Sequence, residues 1–322
     1  MALFNANLLI RETRLAKGLT QEKLAEGICS RETIVKLEKG ERKPNWFVFN
    51  EIMNRLGLES YVQQDDIGSA DDVVIRQTIE YLLSMLGISN EDELKAGIDK
   101  IEAEIQQNTN LGKLWSSGVG YKYFLQIKSS LLCQGKYKDP KSAVQLAMEC
   151  LKLTRPNFEI DKIPEYFLAM HEMITINTLA SAYFELEGAV KSVEIIQSLK
   201  QNMEKNYFAT TDIRHDKRYK VLLGNLILDL SYTEQHDKCL QLSEEALELA
   251  KVTSDLRLYS MCLEGAAYSL TKLGRKCEGE ALYKKFMLFA FVLDGYQNLD
   301  FAFIKKSYEE EFNKKLDLSV EW

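Results

Sequence analysis

Proline is scarce in this chain, with four in 322 residues (Pro44, Pro140, Pro156 and Pro164) and none from Glu165 to Trp322. Proline removes a backbone donor and clashes with the preceding turn, so its absence leaves long stretches in which a helix need never break, and an all-α fold is expected. Histidine occurs three times, scattered at His171, His215 and His236, and there is no H-E-x-x-H, G-x-S-x-G, Walker or G-x-G-x-x-G pattern. Nothing therefore marks a zinc hydrolase, an acyl-transfer enzyme or a nucleotide-binding loop. The six cysteines (Cys29, Cys133, Cys150, Cys239, Cys262 and Cys277) include no C-x-x-C pair and sit in apolar-periodic segments. A thiol there acts as a small hydrophobe, which argues against a disulfide framework or a structural zinc site. No catalytic residue, metal or cofactor is expected. No segment reaches the roughly 20 uninterrupted apolar residues needed to span a bilayer, so no membrane role is expected. The N-terminal run MALFNANLLIRETRLAKG turns charged without a small-residue cleavage site, and the expected location is the cytoplasm.

Hydrophobic residues make up 46% and charged residues 28% of the chain, proportions of a folded globular protein long enough for two or three compact units. The charge is uneven. Residues 1–60 carry 10 Lys and Arg against 8 Asp and Glu, net +2, and the remainder carries 31 against 40, net −9. Contact with nucleic acid is therefore expected at the front, because the acidic remainder would repel a phosphate backbone.

The first sixty residues read as four short helices. Leu8, Leu9, Leu15 and Ala16 fall at helical spacing before the stop signal Lys17-Gly18. Thr20 caps a second helix whose inward face is Leu24, Ala25 and Ile28, and Ser30 caps a third that runs to Lys39. That third helix buries Ile34 and Leu37, turns Arg31, Glu32, Lys36 and Lys39 outward, and stops at Gly40. Two short helices on a tight turn, the second with a polar and partly basic exposed face, are the layout that lays a recognition helix in the major groove; an ordinary helical hairpin with a solvated face is the alternative. Pro44 opens a fourth helix, Asn45 to Leu56, whose Trp46, Phe47, Phe49, Ile52, Met53 and Leu56 read as core closing the domain and only secondarily as an interface.

This segment resembles the helix-turn-helix domains of the lambda repressor and Xre group. The likeness rests on Ile10-Arg11-Glu12-Thr13-Arg14, on Gly18 through Ala25 (GLTQEKLA) and on Ile34 through Pro44 (IVKLEKGERKP). It implies that Gln21 clamps a phosphate, and that Ser30, Arg31, Glu32 and Lys36, with Lys39 beyond them, face base edges or the adjacent backbone. It further implies that Arg14 and Glu38 form the domain's internal ion pair. An arginine at Arg31 can fork onto guanine, an interaction of about 1–3 kcal/mol in discrimination, and Glu32 can accept from a cytosine amino group. A +2 domain is weakly basic for a DNA reader, so a homodimer on a palindromic operator is expected, its half-sites about 34 Å apart.

Residues 59–72 (ESYVQQDDIGSADD) are polar and acidic and read as a hinge. Two amphipathic helices follow, one with Ile75, Ile79, Leu82, Leu83 and Leu86 on a face, the other capped by Asn90 and showing Leu94, Ile98, Ile101 and Ile105. Beyond them the chain keeps making helix pairs. Aligned on Leu273-Gly274-Arg275, a small residue recurs where the second helix crosses the first, at Ala143, Ser192, Cys239 and Gly279, with Ala147, Ile196, Ser243 and Tyr283 four residues on and Gly97 as a candidate first unit. The spacings of 46, 49, 47 and 40 exceed a standard tetratricopeptide period. The reading is a right-handed helical solenoid of degenerate tetratricopeptide repeats, with an irregular helical bundle as the alternative. A final helix, about Asn298 to Lys315, would cap it. The expected domains are residues 1–66 as DNA reader, 67–112 as hinge and linker helices with a candidate first repeat, and 113–322 as repeat domain.

A reader followed by degenerate repeats resembles the peptide-pheromone-responsive regulators of Gram-positive bacteria, the Rgg, PlcR and NprR group. The resemblance implies a homodimer held through the repeats, a short linear signalling peptide bound in the concave groove, and a transcriptional output. An extended peptide has unpaired backbone groups that amide side chains satisfy as both donor and acceptor. On the repeat frame Asn177 and Asn225 occupy nearly equivalent places in successive first helices, with Lys128 before them and Glu264 after. Each reads equally as a solvated or packing residue. Tyr121, Tyr123 and Phe124 line a helix as apolar pocket or core, and His171 and Glu172, being adjacent, diverge on their helix and read as ordinary. A second reading makes the repeats a scaffold for a partner protein such as a response regulator, with DNA binding providing localisation or autoregulation.

Overall fold

The computed structural model describes residues 6–41, 46–58, 70–86, 91–116, 118–133, 135–206, 212–293 and 301–315, and among them every regular element is helical. The fold is all-α. The sequence-predicted starts at Pro44 and Asn90, most of the acidic hinge (59–69), Asn298 and the last seven residues lie outside the described residues. The chain divides into two compact units: Met1–Leu86, Glu91–Ala182 and Ser198–Ile213 in the first, Tyr183–Gln197 and Arg214–Trp322 in the second.

The first unit opens with α1 (Ala6–Ala16), α2 (Gln21–Ala25), α3 (Arg31–Glu38) and α4 (Trp46–Arg55). Both predicted caps form: the Thr20 hydroxyl accepts from the Lys23 amide at 3.1 Å, and the Ser30 hydroxyl from the Thr33 amide at 3.2 Å. Each satisfies one orphan amide at a helix start. Ile10, Leu24, Ala25, Ile28, Ile34, Leu37, Phe49, Ile52, Met53 and Leu56 make one core, joined by Ala169 from far along the chain. One expectation is overturned. Leu8 and Leu15 are 48% and 56% exposed, and α1 instead turns Ile10 and Arg14, one turn apart, inward. The stripe shifts because Arg14 is neutralised inside by Glu38 and can occupy an inward position that composition alone would give to a leucine.

The unit continues through α5 (Ala70–Met85), α6 (Glu91–Gln106), α7 (Asn110–Trp115), α8 (Gly118–Leu131), α9 (Pro140–Thr154) and the start of α10 (Met170–Glu187). Short α7, unforeseen in the sequence, is capped by Thr109 and buries Trp115. A second core gathers Ile75, Ile79 and Leu82 of α5, Leu94, Ile98 and Ile101 of α6, Trp115, and Tyr123, Phe124, Ile127 and Leu131 of α8. Tyr123 and Phe124 are thus core, and Tyr121 donates to Glu149 at 2.8 Å. Phe47 belongs to this second core, with its ring 5.3 Å from that of Tyr123. Helix α4 therefore faces two ways, closing the reader with one side and docking the following helices with the other.

The second unit holds the first half of α11 (Ala189–Asn206) and α12 (Lys217–Ser231), α13 (His236–Thr253), α14 (Leu256–Lys272), α15 (Lys276–Leu293) and α16 (Phe301–Phe312). Helix α14 packs against α12, α13 and α15. The recurrent small residues lie at helix crossings: Ala143, Ser192 and Cys239 are fully buried, and a Cβ on Gly279 would stand 2.4 Å from the Thr271 hydroxyl and 2.9 Å from the Ala267 carbonyl of α14. A larger side chain there would force the pair apart, which is the reason for the repeat signature.

Candidate nucleic-acid interface

Helices α2 and α3 form the helix-turn-helix. Arg31 and Glu32 begin α3 and are exposed, Lys36 is half-buried and Lys39 exposed at its end. These charges are compensated locally: Arg31 Nε lies 2.9 Å from Glu22 Oε1 on α2, Lys36 Nζ 2.6 Å from Glu32 Oε1 one turn back, and Lys39 Nζ 3.8 Å from Glu41 Oε1. Gln21, half-buried at the start of α2, donates to Glu38 Oε2 at 2.9 Å. Glu38 also receives Arg14 Nε at 2.5 Å and Nη2 at 2.9 Å, and Arg14 Nη1 donates to the Leu19 carbonyl. Burial pushes the Glu38 carboxyl up, but Arg14 and Gln21 outweigh it and hold the group below its ordinary range. Arg14 and Glu38 thus tie α1 to α3 and to the turn before α2, while the presented surface is the α3 N-terminus and its outer face.

A second polar cluster is buried where the reader meets α8–α10, all within the first unit. Arg55, 8% exposed at the end of α4, donates to the carbonyls of Leu24 at 3.1 Å and Phe167 at 3.2 Å and to that of Glu26, with its guanidinium 4.6 Å over the Phe167 ring. Arg155, the C-cap of α9, reaches Glu26 Oε1 at 2.7 Å, the Phe167 carbonyl at 2.6 Å and Glu172 Oε1 at 3.0 Å. Glu172, fully buried, accepts also from the Thr154 hydroxyl and the Ala169 amide. On the other side Glu51 accepts from the Met170 amide at 2.9 Å and faces His171 Nδ1 at 3.3 Å, with Tyr123 donating to it and Lys122 3.5 Å from His171. Desolvation raises the Glu51 carboxyl, but the contacts of His171, Met170 and Lys122 prevail and hold it down to about 2. Burial lowers the Arg55 guanidinium to about 10, with Glu172 and Glu51 opposing. His171 and Glu172 do diverge on α10, yet they are not ordinary. Each feeds a different arm of the cluster.

The four residues placed on the groove frame stand on alternate helices, Lys128 on α8 and Asn177 on α10 in the first unit, Asn225 on α12 and Glu264 on α14 in the second. Lys128 is paired with Glu102 of α6. Asn177, Asn225 and Glu264 are half-buried. Desolvation raises the Glu264 carboxyl to about 7, and burial, with the Glu264 charge second, raises the hydroxyls of Tyr232 and Tyr283. Asp229, which accepts from the Ser192 hydroxyl, is raised by burial to about 6. Tyr232 sits between two rings, edge-to-face with Phe184 at 5.6 Å and tilted against Tyr268 at 5.1 Å. No helix among the described residues is long and apolar enough to cross a membrane.

The helix-turn-helix family matches residues 10–60. An uncharacterized HTH-type transcriptional regulator of Methanothermobacter thermautotrophicus is 48% identical over 52 residues, which is 16% of this chain and 75% of that protein. The chain belongs to the helix-turn-helix transcriptional regulators. Over nearly its whole length it also shares the fold of Bacillus thuringiensis PlcR, whose crystal structure is a complex with the peptide PapR7 and DNA: the TM-score is 0.52 at 16% identity, covering 97% of this chain and 100% of that one. The competence regulator ComR of Streptococcus vestibularis, in complex with its signalling peptide XIP, is more distant, with a TM-score of 0.43 at 15% identity over 94% of this chain and 97% of that one.

Proposed function

We propose that this regulator is a homodimer that reads a palindromic operator through α3 and is controlled by a short linear signalling peptide bound by the repeat domain. The observation that carries the reading is the pairing of a Ser30-capped α3, presenting Arg31, Glu32 and Lys36 outward, with a whole-chain likeness to PlcR. In this reading Arg31 and Glu32 meet base edges, Ser30, Lys36 and Lys39 meet bases or the adjacent backbone, and Gln21 meets a phosphate. Asn177, Asn225, Lys128 and Glu264 are the candidate peptide contacts, with the two asparagines meeting the peptide backbone. The seam of Glu26, Glu51, Arg55, Arg155 and Glu172 gives a change in α8–α10 a direct mechanical path to the reader.

Two measurements test it. Fluorescence anisotropy on a fragment of the gene's own upstream region should show Arg31→Ala losing sequence preference, and Gln21→Ala binding more weakly to all sequences with a shallower salt dependence. If neither changes binding, the assignment of α3 is wrong. Melting curves with synthetic peptides from neighbouring short reading frames should show a shift for one peptide alone, abolished in Asn177→Ala or Asn225→Ala. A ligand at about 100 times its dissociation constant adds about 2.7 kcal/mol.

A further inference from the structure

We propose that Glu22 is a positioning residue for base reading: its carboxylate, ion-paired with Arg31 nearest Nε, holds the guanidinium so that the two terminal nitrogens fork onto a guanine of the operator. This rests on the reading above, in which Arg31 meets base edges.

Glu22 stands in the first turn of α2, fixed by the Thr20 cap, and Arg31 is the first residue of α3, fixed by the Ser30 cap. Both backbones are therefore set before any DNA arrives. Their closest approach is 2.9 Å, between Glu22 Oε1 and Arg31 Nε. An end-on fork onto guanine O6 and N7 uses the two terminal nitrogens and not Nε, so an ion pair made nearest Nε and a base met end-on are compatible. A long arginine side chain loses rotamer freedom when it contacts a base, and a carboxylate held on another helix removes part of that loss in advance.

The pair has little to do with holding the fold. Its side chains are 60% and 65% exposed, and ion pairs in water at that exposure contribute almost nothing to stability. The α1–α3 tie is already made by Arg14, Gln21 and Glu38 inside the domain. Of the three ion pairs made by residues 31–39 on this outer surface, those of Lys36 and Lys39 have partners one turn away or just beyond the helix, whereas the Arg31 pair bridges two helices. Glu22 also carries a cost for binding. A carboxylate near the duplex repels phosphate, and Arg31 offsets that repulsion only while it stays alongside. A residue that merely repelled would weaken binding to every sequence alike, while one that orients Arg31 acts at a single base pair.

That difference is the test. The full chain is used to select from random-sequence duplexes, and anisotropy then gives the discrimination at each base pair of the selected site for the parent, Arg31→Ala, Glu22→Gln and the double variant. Arg31→Ala identifies the guanine by the position at which preference is lost. Glu22→Gln is expected to reduce discrimination at that position about three- to tenfold, to leave the other positions unchanged, to raise affinity for unselected duplexes, and to have no further effect on that position in the Arg31→Ala background. Parent-like discrimination in Glu22→Gln, even with higher overall affinity, overturns the inference and leaves the role of Arg31 intact. If Arg31→Ala itself keeps every preference, the role of Arg31 falls and the inference with it. Both side chains are exposed, so unchanged melting of the variants accompanies either result.

Discussion

Arg55→Ala puts the buried seam to a quantitative test. The guanidinium donates to the Leu24 carbonyl at 3.1 Å and to that of Glu26, and shares the Phe167 carbonyl, at 3.2 Å, with Arg155. It supplies positive charge beside Glu172 and Glu51 and stays protonated at neutral pH, because burial lowers it only to about 10. Truncation leaves the Leu24 and Glu26 carbonyls without this donor, about 1–3 kcal/mol each, and breaks a buried charge cluster on one side, a loss of about 3–5 kcal/mol. The two descriptions overlap, so the expected total is about 3–5 kcal/mol rather than their sum. For a unit of this size each kcal/mol moves the midpoint by about 2–4 °C, so calorimetry should place the transition containing the reader about 6–20 °C lower. Arg55→Met, which restores volume without donors, should recover little of it. A loss below about 1 kcal/mol for Arg55→Ala would refute the reasoning, since it would mean that water already serves these carbonyls.

Two further outcomes follow from single positions. Gly27 has φ +72°, and a Cβ there would lie 2.7 and 2.8 Å from the carboxylate oxygens of Glu172, which are themselves held by Thr154, Arg155 and Ala169; Gly27→Ala should cost about 2–4 kcal/mol in urea unfolding. Gly18→Ala, at φ +64° with open space around it, should lose only the backbone part, about 1–2 kcal/mol, and equal losses at the two sites would contradict the clash with Glu172. In the second unit, burial raises the Glu264 carboxyl from 4.5 to about 7, so its contribution to stability is complete below about pH 4.5 and is lost as pH rises through 7. The midpoint of Glu264→Gln minus that of the parent should therefore be near zero at low pH and grow more positive toward pH 8. A difference that does not vary with pH would show that Glu264 titrates normally.

The sequence made the reader legible because its signals are local. Thr20 and Ser30 sit directly before the helices they cap, and Ile34 and Leu37 show their face within one helix. The repeat signature at Ala143, Ser192, Cys239 and Gly279 was legible for a related reason: close helix crossings leave no room for a side chain, so small residues recur at the spacing of the pairs. The inward face of α1 was misread because hydrophobicity cannot reveal that Arg14 has a buried partner 24 positions later. The seam was missed altogether. Glu26, Glu51 and Arg55 meet Arg155, His171 and Glu172 across a hundred residues or more of chain, a pairing that no local pattern displays, and only the polar pair His171-Glu172 at the head of the largely apolar α10 hinted at it. Phe47 was read first as reader core and only second as interface, because aromatic density alone does not show which neighbour a ring packs against.

Ala169 completes the core of the reader, and Arg55 and Glu26 are satisfied by Phe167 and Arg155. The DNA-reading part is consequently not a portable cassette. Cut out at residue 66, it would carry an exposed patch where Ala169 had sat and stranded charges at positions 26, 51 and 55. Grafted onto a foreign repeat domain, it would need the stretch from Thr154 to Glu172 brought with it. Chimeras that exchange readers between regulators should then fold only when that stretch travels too.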